Sequence, residues 1–142
     1  MEKKNILFVI NPISGGKDKR GFPIAAAKFL DSSIFNAQFE FTQYAHHADE
    51  LASNAVSSGV DIVVAVGGDG TINEVASALV DTKTIMGIVP CGSGNGLARS
   101  LKISLKTENA VRTLNQLNID TIDTAELAGG KFFNMGGIGF DA

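Results

Sequence analysis

GGDGTINE, Gly67 to Glu74, joins a short apolar run, Ile62 to Val66, to a segment in which apolar residues recur at helical spacing. A glycine-rich turn between a strand and a helix is typical of a phosphate-binding site, because glycine lets the backbone approach a ligand and the first helical N–H groups face the anion. Thr71 and Glu74 have the spacing of a capping box, which predicts that the helix begins at about Thr71. This segment therefore predicts a phosphate cradle, and the alternative interpretation is a tight turn without a ligand.

Asp69 lies in the middle of this turn. A carboxylate beside phosphate groups is electrostatically unfavourable unless a cation lies between them or the carboxylate takes up a proton. We therefore interpret Asp69 as a chemical group of the site rather than as part of the scaffold.

The composition limits the classes of protein to which the chain can belong. Its 142 residues fit one domain, and a hydrophobic fraction of 44% with 19% charged residues argues against disorder. The net charge of −3 provides no basic field for nucleic acid. Cys91 is the single cysteine, which excludes an internal disulfide framework and multi-cysteine zinc sites and favours a reducing cytoplasm.

The apolar runs are too short for a targeting or membrane-spanning segment. Ile6 to Ile10 is shorter than the core of a signal peptide, which has roughly 7–15 residues, and no run approaches the roughly 18 residues of a membrane span. We therefore expect a soluble cytoplasmic domain without a transmembrane segment. Such a domain can still meet a lipid substrate at the inner face of the membrane.

Strand and helix patterns alternate along the chain. This alternation predicts an α/β fold, a parallel sheet with helices on both faces. Ligands of such sheets bind beyond the carboxyl ends of the strands, where the glycine-rich loops fall. The predicted units are Ile6 to Ile10 with a helical pattern from Phe22 to Leu30, Ala37 to Thr42 with a pattern from Ala48 to Val56, Ile62 to Val66 with the helix after Thr71, and Ile85 to Val89 leading into Gly92-Ser93-Gly94-Asn95.

The C-terminal part continues with further elements. The pattern predicts a helix from Thr107 to Leu117 and strands over Asp120 to Leu127 and Phe132 to Met135. The closing sequence GGIGFDA leaves no room for the element that it introduces. We therefore expect residues 1–142 to form one domain of a longer chain.

A second glycine-rich loop, Pro90 to Gly96 (PCGSGNG), also lies between an apolar strand and an apolar helical pattern. Two such loops at successive strand ends favour a composite phosphate cradle. Neither is a Walker A sequence and neither contains GxGxxG, which disfavours a P-loop or dinucleotide fold. The tail from Gly137 to Ala142 matches GxGxxA, but it has no following helix or acidic ribose partner.

Three motifs occur in order at predicted strand ends: NPISG from Asn11 to Gly15, GGDGTINE from Gly67 to Glu74, and GSGNGLAR from Gly92 to Arg99. In this order they resemble the diacylglycerol kinase catalytic domain family, which includes bacterial lipid kinases, sphingosine kinases and ceramide kinases. The resemblance extends from Ile6 to the terminal FDA. It implies phosphorylation of a lipid hydroxyl by ATP with Mg²⁺, a fold similar to NAD kinases and phosphofructokinases, and a second, mostly β domain after this one.

The resemblance also implies the residues of the site. Asp69 is implied either to bind Mg²⁺ through water or to act as general base toward the acceptor hydroxyl. Alternatively, Asn11 ends its strand in a simple turn, Glu74 caps the helix, and the second loop provides an N-cap. The implied nucleotide-binding residues are Asn11, Ser14, Gly15, Thr42, Gly67, Gly68, Gly70, Thr71, Asn73, Glu74, Ser93, Gly94 and Asn95.

Gly96 departs from the family pattern, because many diacylglycerol kinases have an aspartate at this position. Asp123 then becomes the remaining family-matched carboxylate for Mg²⁺, and Asp141 falls where related kinases approach the acceptor. A small residue at 96 is closer to sphingosine kinase-like members. The acceptor therefore stays open between diacylglycerol and a sphingoid-type lipid.

Other functions also remain open. GGDG is shared with kinases of NAD and of sugar phosphates, and a non-catalytic nucleotide-binding module is a further alternative. Homodimerisation is left open. Because half of the cleft would lie in a second domain, we expect the 142-residue chain alone to bind nucleotide weakly and to show no useful turnover. We assign His46 and His47 to the first turn of a helix rather than to catalysis.

Overall fold

The computed structural model describes residues 3–13, 20–90, 111–112, 114–115 and 132–134. Within these ranges the strands form a single sheet. The predicted strand–helix units in this part of the chain are present, with ends that shift by one or two residues. The elements in chain order are β1 (Lys4–Ile10), α1 (Phe22–Phe29), β2 (Phe35–Phe41), α2 (His47–Ser57), β3 (Ile62–Gly67), α3 (Asp69–Leu79), β4 (Ile85–Pro90) and β5 (Phe132–Asn134).

The sheet has the strand order β2-β1-β3-β4-β5. β1 pairs in parallel with both β2 and β3, and β3 pairs in parallel with β4. The predicted parallel sheet is confirmed for these four strands. β5 confirms the strand predicted near Phe132 but runs antiparallel to β4, as edge strands of otherwise parallel sheets commonly do. The helix start at Thr107 and the strand over Asp120 to Leu127 lie outside the described residues.

Two apolar layers enclose the central strand β3. It is buried along its whole length, and its alternate residues face different layers, with Val64 in one and Val63 in the other. α1 packs on the first layer, where the ring centroid of Phe8 lies 5.0 Å from that of Phe39 and 5.7 Å from that of Phe22. α2 and α3 pack on the second layer. Helices on both faces are thus confirmed.

α2 begins and ends where the sequence predicts. His47 is its first residue and His46 precedes it as N-cap, which confirms their place at the helix start. At the other end, Gly59 has a φ of +79°, a left-handed conformation that glycine adopts without steric strain. The Val60 N–H donates to the Ala55 carbonyl at 3.0 Å, so the C-terminal turn is closed before β3 begins.

α3 begins earlier than the capping-box spacing predicts. Its first residue is Asp69, and Gly68 is the N-cap, in an extended conformation and without a side-chain cap hydrogen bond. The predicted helix start at Thr71, with Glu74 closing a capping box, is therefore wrong. The Gly68 carbonyl accepts a hydrogen bond from the Ile72 N–H at 3.0 Å. Glycine serves nearly as well as threonine at an N-cap, so the helix starts before Thr71 is reached.

Candidate functional site

Strands β1 and β2 are each followed by a polar residue at one edge of the sheet. The Asn11 N–H donates to the Val66 carbonyl at 3.0 Å, and the Thr42 N–H donates to the Ile10 carbonyl at 2.8 Å. These bonds continue the strand pairing beyond the ends of β1 and β2. Because β1, β2 and β3 are parallel, both residues are fixed at the carboxyl edge where α3 begins.

A cleft of about 320 Å³ opens at this edge. It brings together four residues that the resemblance assigns to the nucleotide, and these come from three different elements or their ends: β1, β2 and α3. The sequence positions alone do not show this convergence. The lining residues are Asn11, Pro12, Ile13, Thr42, Gln43, Tyr44, Ala45, His46, Ala48, Thr71 and Glu74.

The glycines of the GGDG sequence form the junction between β3 and α3. Gly67 ends β3 and is buried, Gly68 is the N-cap, and Gly70 is exposed in the first turn of α3. Asn73 is exposed further along this helix, and none of these four residues is in the cleft lining given above. The other predicted site residues lie outside the described residues: Ser14, Gly15, Ser93, Gly94, Asn95, Asp123 and Asp141.

Asp69 is the first residue of α3 and is half-buried. Its Oδ1 atom is buried and accepts no hydrogen bond in the described part of the chain, although the residue has other interactions. The positive end of the helix dipole favours a negative charge at this position. A buried carboxylate oxygen beside a predicted phosphate cradle fits a Mg²⁺ ion, which typically takes one or two protein carboxylates together with phosphate and water. Within the described ranges, no cluster of three His, Cys, Asp or Glu residues forms a complete protein cage for a metal.

The structure tests two alternatives that the sequence left open, the turn role of Asn11 and the cap role of Glu74. Asn11 Oδ1 accepts a hydrogen bond from the Ile13 N–H at 3.2 Å, so this side chain does stabilise a turn at the end of β1. Glu74 makes no cap, because α3 has no side-chain cap hydrogen bond. It is instead half-buried and lines the cleft. The turn role of Asn11 is therefore observed, and the ligand roles of both residues stay predictions.

Tyr44 is a cleft residue that sequence reasoning missed. Its side chain is 55% exposed. Its ring nevertheless stacks on His47, with centroids 4.2 Å apart and planes within 15°, and its hydroxyl donates to the Glu50 carboxylate. His47 is itself held, because its Nδ1 accepts the Gln43 N–H at 2.9 Å. The available signal was that the single tyrosine of the chain lies two residues after the end of the second predicted strand.

The chain has relatives among curated proteins. Residues 5–127 match the family model of the diacylglycerol kinase catalytic domain. The chain is 33% identical over 146 residues to a "Probable lipid kinase YegS-like" from Pectobacterium atrosepticum, a match covering 99% of this chain and 48% of the relative. It is 40% identical over 99 residues to a protein of the same name from Yersinia pestis, covering 66% and 32%. The chain therefore spans half or less of the length of these relatives.

Solved structures share the fold. A diacylglycerol kinase from Bacillus anthracis superposes with a TM-score of 0.67 at 21% identity, over 82% of this chain and 43% of that one. A putative diacylglycerol kinase from the same organism gives a TM-score of 0.66 at 20% identity. At these identities the likeness concerns the fold, and it confirms the predicted α/β class.

Gly70 offers a test of the phosphate cradle, because none of the described residues comes within 4 Å of a Cβ added there. Since the position is helical and unobstructed, Gly70→Ala should raise the free energy of unfolding by about 0.4–1 kcal/mol. It should also weaken the binding of Mg-ATP, because the added methyl group occupies the space that a phosphate would approach. Urea unfolding and calorimetry measure the two effects. Ser77→Ala, at an exposed position of the same helix, is the control; a Gly70→Ala protein with normal binding would contradict the cradle.

The contact between Tyr44 and Glu50 predicts a pH dependence. The carboxylate accepts the hydrogen bond of the phenol and disfavours the phenolate, which raises the pKa of Tyr44 above its ordinary value of 10.0. The resulting stability is fully present below about pH 10 and is lost as the pH rises through the raised pKa. Because the chain has one tyrosine and no tryptophan, phenolate absorbance reports this group alone.

Glu50→Gln should move the midpoint of this alkaline titration down toward 10.0. Glu40→Gln, at an exposed position of β2, is the matched control and should leave the midpoint unchanged. Equal midpoints in the wild type and the Glu50→Gln variant would show that the hydrogen bond does not form in solution.

Proposed function

Because the chain belongs to the diacylglycerol kinase catalytic domain family, we propose that it supplies the ATP-binding half of a lipid kinase. The reaction transfers the terminal phosphoryl group of ATP to a hydroxyl of diacylglycerol or of a sphingoid-type lipid. The names of the curated relatives support lipid as the class of acceptor. Since the chain covers half or less of those relatives, the activity of the whole protein rests on this proposal.

One observation carries the proposal: the cleft joins the ends of β1 and β2 to the first turns of α3. A nucleotide needs an anion site for its phosphates and polar groups for its sugar. The start of α3 offers the backbone N–H groups of a helix N-terminus and a favourable dipole. Asn11, Thr42 and Glu74 offer amide, hydroxyl and carboxylate groups within the same cleft.

In this proposal the protein acts mainly by positioning. Phosphoryl transfer requires little covalent chemistry from the enzyme, and most of the rate comes from alignment and charge stabilisation. The backbone at Gly68 and Gly70 holds the phosphates at the β3–α3 junction. Thr71 is 7% exposed and lines the cleft near this junction.

Asp69 has two alternative roles in the proposal. When bound, Mg²⁺ would neutralise phosphate charge, and the buried Oδ1 of Asp69 would be a ligand, with Asp123 as a second candidate. Alternatively, Asp69 accepts the proton of the acceptor hydroxyl as general base. In both roles the residue must keep a negative charge at the start of α3, and an amide at this position cannot replace it.

We propose that the enzyme meets its lipid at the inner face of the cytoplasmic membrane. Among the described helices, none is long and apolar enough to cross a membrane. The net charge of −3 argues against nucleic acid as a partner. Homodimerisation stays open.

The acceptor can be identified with the full-length protein and labelled ATP. Diacylglycerol, a sphingoid base, NAD and sugar phosphates are offered in parallel, and transfer to a lipid supports the proposal. Transfer to NAD or to a sugar phosphate would overturn it in favour of another kinase that shares GGDG. Nucleotide binding without transfer to any acceptor would instead indicate a non-catalytic binding module.

Asp69→Asn should lower transfer by at least about 100-fold in the full-length protein, because either role requires a carboxylate. The fold should remain intact, since the amide is nearly isosteric, and thermal unfolding checks this. Asp81→Asn is the matched control: Asp81 is exposed with a φ of +62°, a conformation that asparagine tolerates, and it lies beyond the C-terminal end of α3, at the other end of the helix from Asp69. Near-normal activity of the Asp69→Asn variant would contradict both roles.

The 142-residue chain alone should bind Mg-ATP weakly and show no useful turnover. The physical reason is that the relatives are at least about twice as long, so part of the proposed acceptor site lies in the remaining chain. Calorimetry and a lipid phosphorylation assay measure the two properties. Robust lipid phosphorylation by this chain would show that it contains the complete cleft.

A further inference from the structure

We propose that Tyr44 provides the surface on which the nucleotide base stacks. This inference rests on the proposed function, because it requires that the cleft binds a nucleotide. It adds a residue from outside the glycine-rich motifs and assigns it one task, recognition of the aromatic base. The sugar and the phosphates lie with other residues.

The ring of Tyr44 is exposed yet held in place. An aromatic side chain that is 55% exposed normally retains its rotamer freedom, which it would lose on binding a ligand. Tyr44 is restrained at the ring by His47 and at the hydroxyl by Glu50. Both restraining residues belong to α2, and the contact of His47 with the Gln43 N–H ties this helix to the end of β2. Because the ring is already fixed, less conformational entropy is lost when a base stacks on it.

Tyr44 also has a suitable position in the cleft to contact a base. Thr71 and Glu74 line the same cleft as Tyr44, and both belong to the helix whose first turn forms the proposed phosphate site. A nucleotide with its phosphates at this turn directs its base along the cleft toward the β2–α2 segment. In the lining given above, Tyr44 and His46 carry the aromatic rings, and His46 is the N-cap of α2 in a left-handed conformation. Of these two rings, Tyr44 is the one with contacts that hold it in place, so we assign it to the base.

Aromatic side chains that stack on nucleobases are sequence-tolerant, because every base has a π face. The inference is therefore specific to an aromatic base rather than to adenine. The competing interpretation is that Tyr44 only fastens the β2–α2 turn. The two differ in one respect: a fastening residue affects all ligands of the cleft alike, whereas a stacking residue affects only those that carry a base.

The single tyrosine makes a direct test possible with the 142-residue chain. Because the chain has one tyrosine and no tryptophan, its intrinsic fluorescence comes from Tyr44. Mg-ATP should quench this emission in a saturable manner, whereas Mg-tripolyphosphate, which has no base, should not. N-acetyltyrosinamide under the same conditions corrects for absorption by the base. Saturable ATP binding by calorimetry without a change in emission would overturn the inference.

Variants provide a second measurement. Tyr44→Leu should weaken ATP binding by about 5- to 150-fold, the usual effect of removing a stacking ring, and should leave tripolyphosphate binding unchanged. Tyr44→Phe keeps the ring and loses the hydroxyl contact with Glu50, so its affinity should lie much closer to that of the wild type. Ile24→Ala, which removes an exposed apolar side chain of α1 outside the cleft lining, is the control.

The outcomes separate this inference from the proposed function. If wild-type protein binds ATP and Tyr44→Leu binds it equally well, the stacking role is wrong and the proposed nucleotide site survives. If Tyr44→Leu loses ATP and tripolyphosphate to the same extent, Tyr44 only fastens the turn. If the wild type binds no nucleotide by any of these measurements, the proposed function falls, and the stacking role falls with it.

Discussion

The parallel pairing of β1 with β2 and β3 is the constraint on which the whole site depends. β1 and β2 end at the cleft, where Asn11 and Thr42 line it, and β3 ends at the junction with α3, the helix that brings Thr71 and Glu74 to the same cleft. The register is fixed from inside the fold, because Phe8 and Phe39 are paired across β1 and β2 and their rings stack in the core. The packing of apolar side chains in the core therefore fixes the relative positions of the polar groups at the edge of the sheet.

The sequence predicts the layers well, because apolar period and run length depend on burial, and burial of apolar surface is the largest driving force of folding. β3 reads as a continuous apolar run since both of its faces are covered, and β2 reads as an alternation since only one face packs on the core. Helix ends are harder to predict. At α3 two residues compete for the N-cap, and the capping-box spacing favours Thr71 over Gly68, which has no side chain to mark it.

Some residues of the candidate site could likewise be predicted from the sequence, and others could not. Residues at strand ends could be predicted, because parallel strands place their carboxyl ends at one edge whatever their neighbours are. Tyr44 could not, because nothing in its sequence neighbourhood shows that α2 folds back so that His47 and Glu50 restrain its ring. The sequence also leaves the place of Glu74 open between a helix cap and the ligand site. Its place in the cleft lining is clear only once the helix is known to start at Asp69.

Local departures from ideal geometry occur at the cleft, at the start of α3 and elsewhere in the described chain. His46, which lines the cleft, has a φ of +68°, Asp69 buries an oxygen at the first residue of α3, and Gly70 lies in a helix where alanine would be more stable. Asp81 also has a positive φ, yet there the turn after α3 suffices as the reason, since the Thr82 N–H closes it onto the Leu79 carbonyl. A positive φ at one residue, as at Asp81, can be explained by the turn in which that residue lies. Departures such as those of Asp69 and Gly70 at the start of α3 are expected at a functional site, because natural sequences otherwise agree with their local structure.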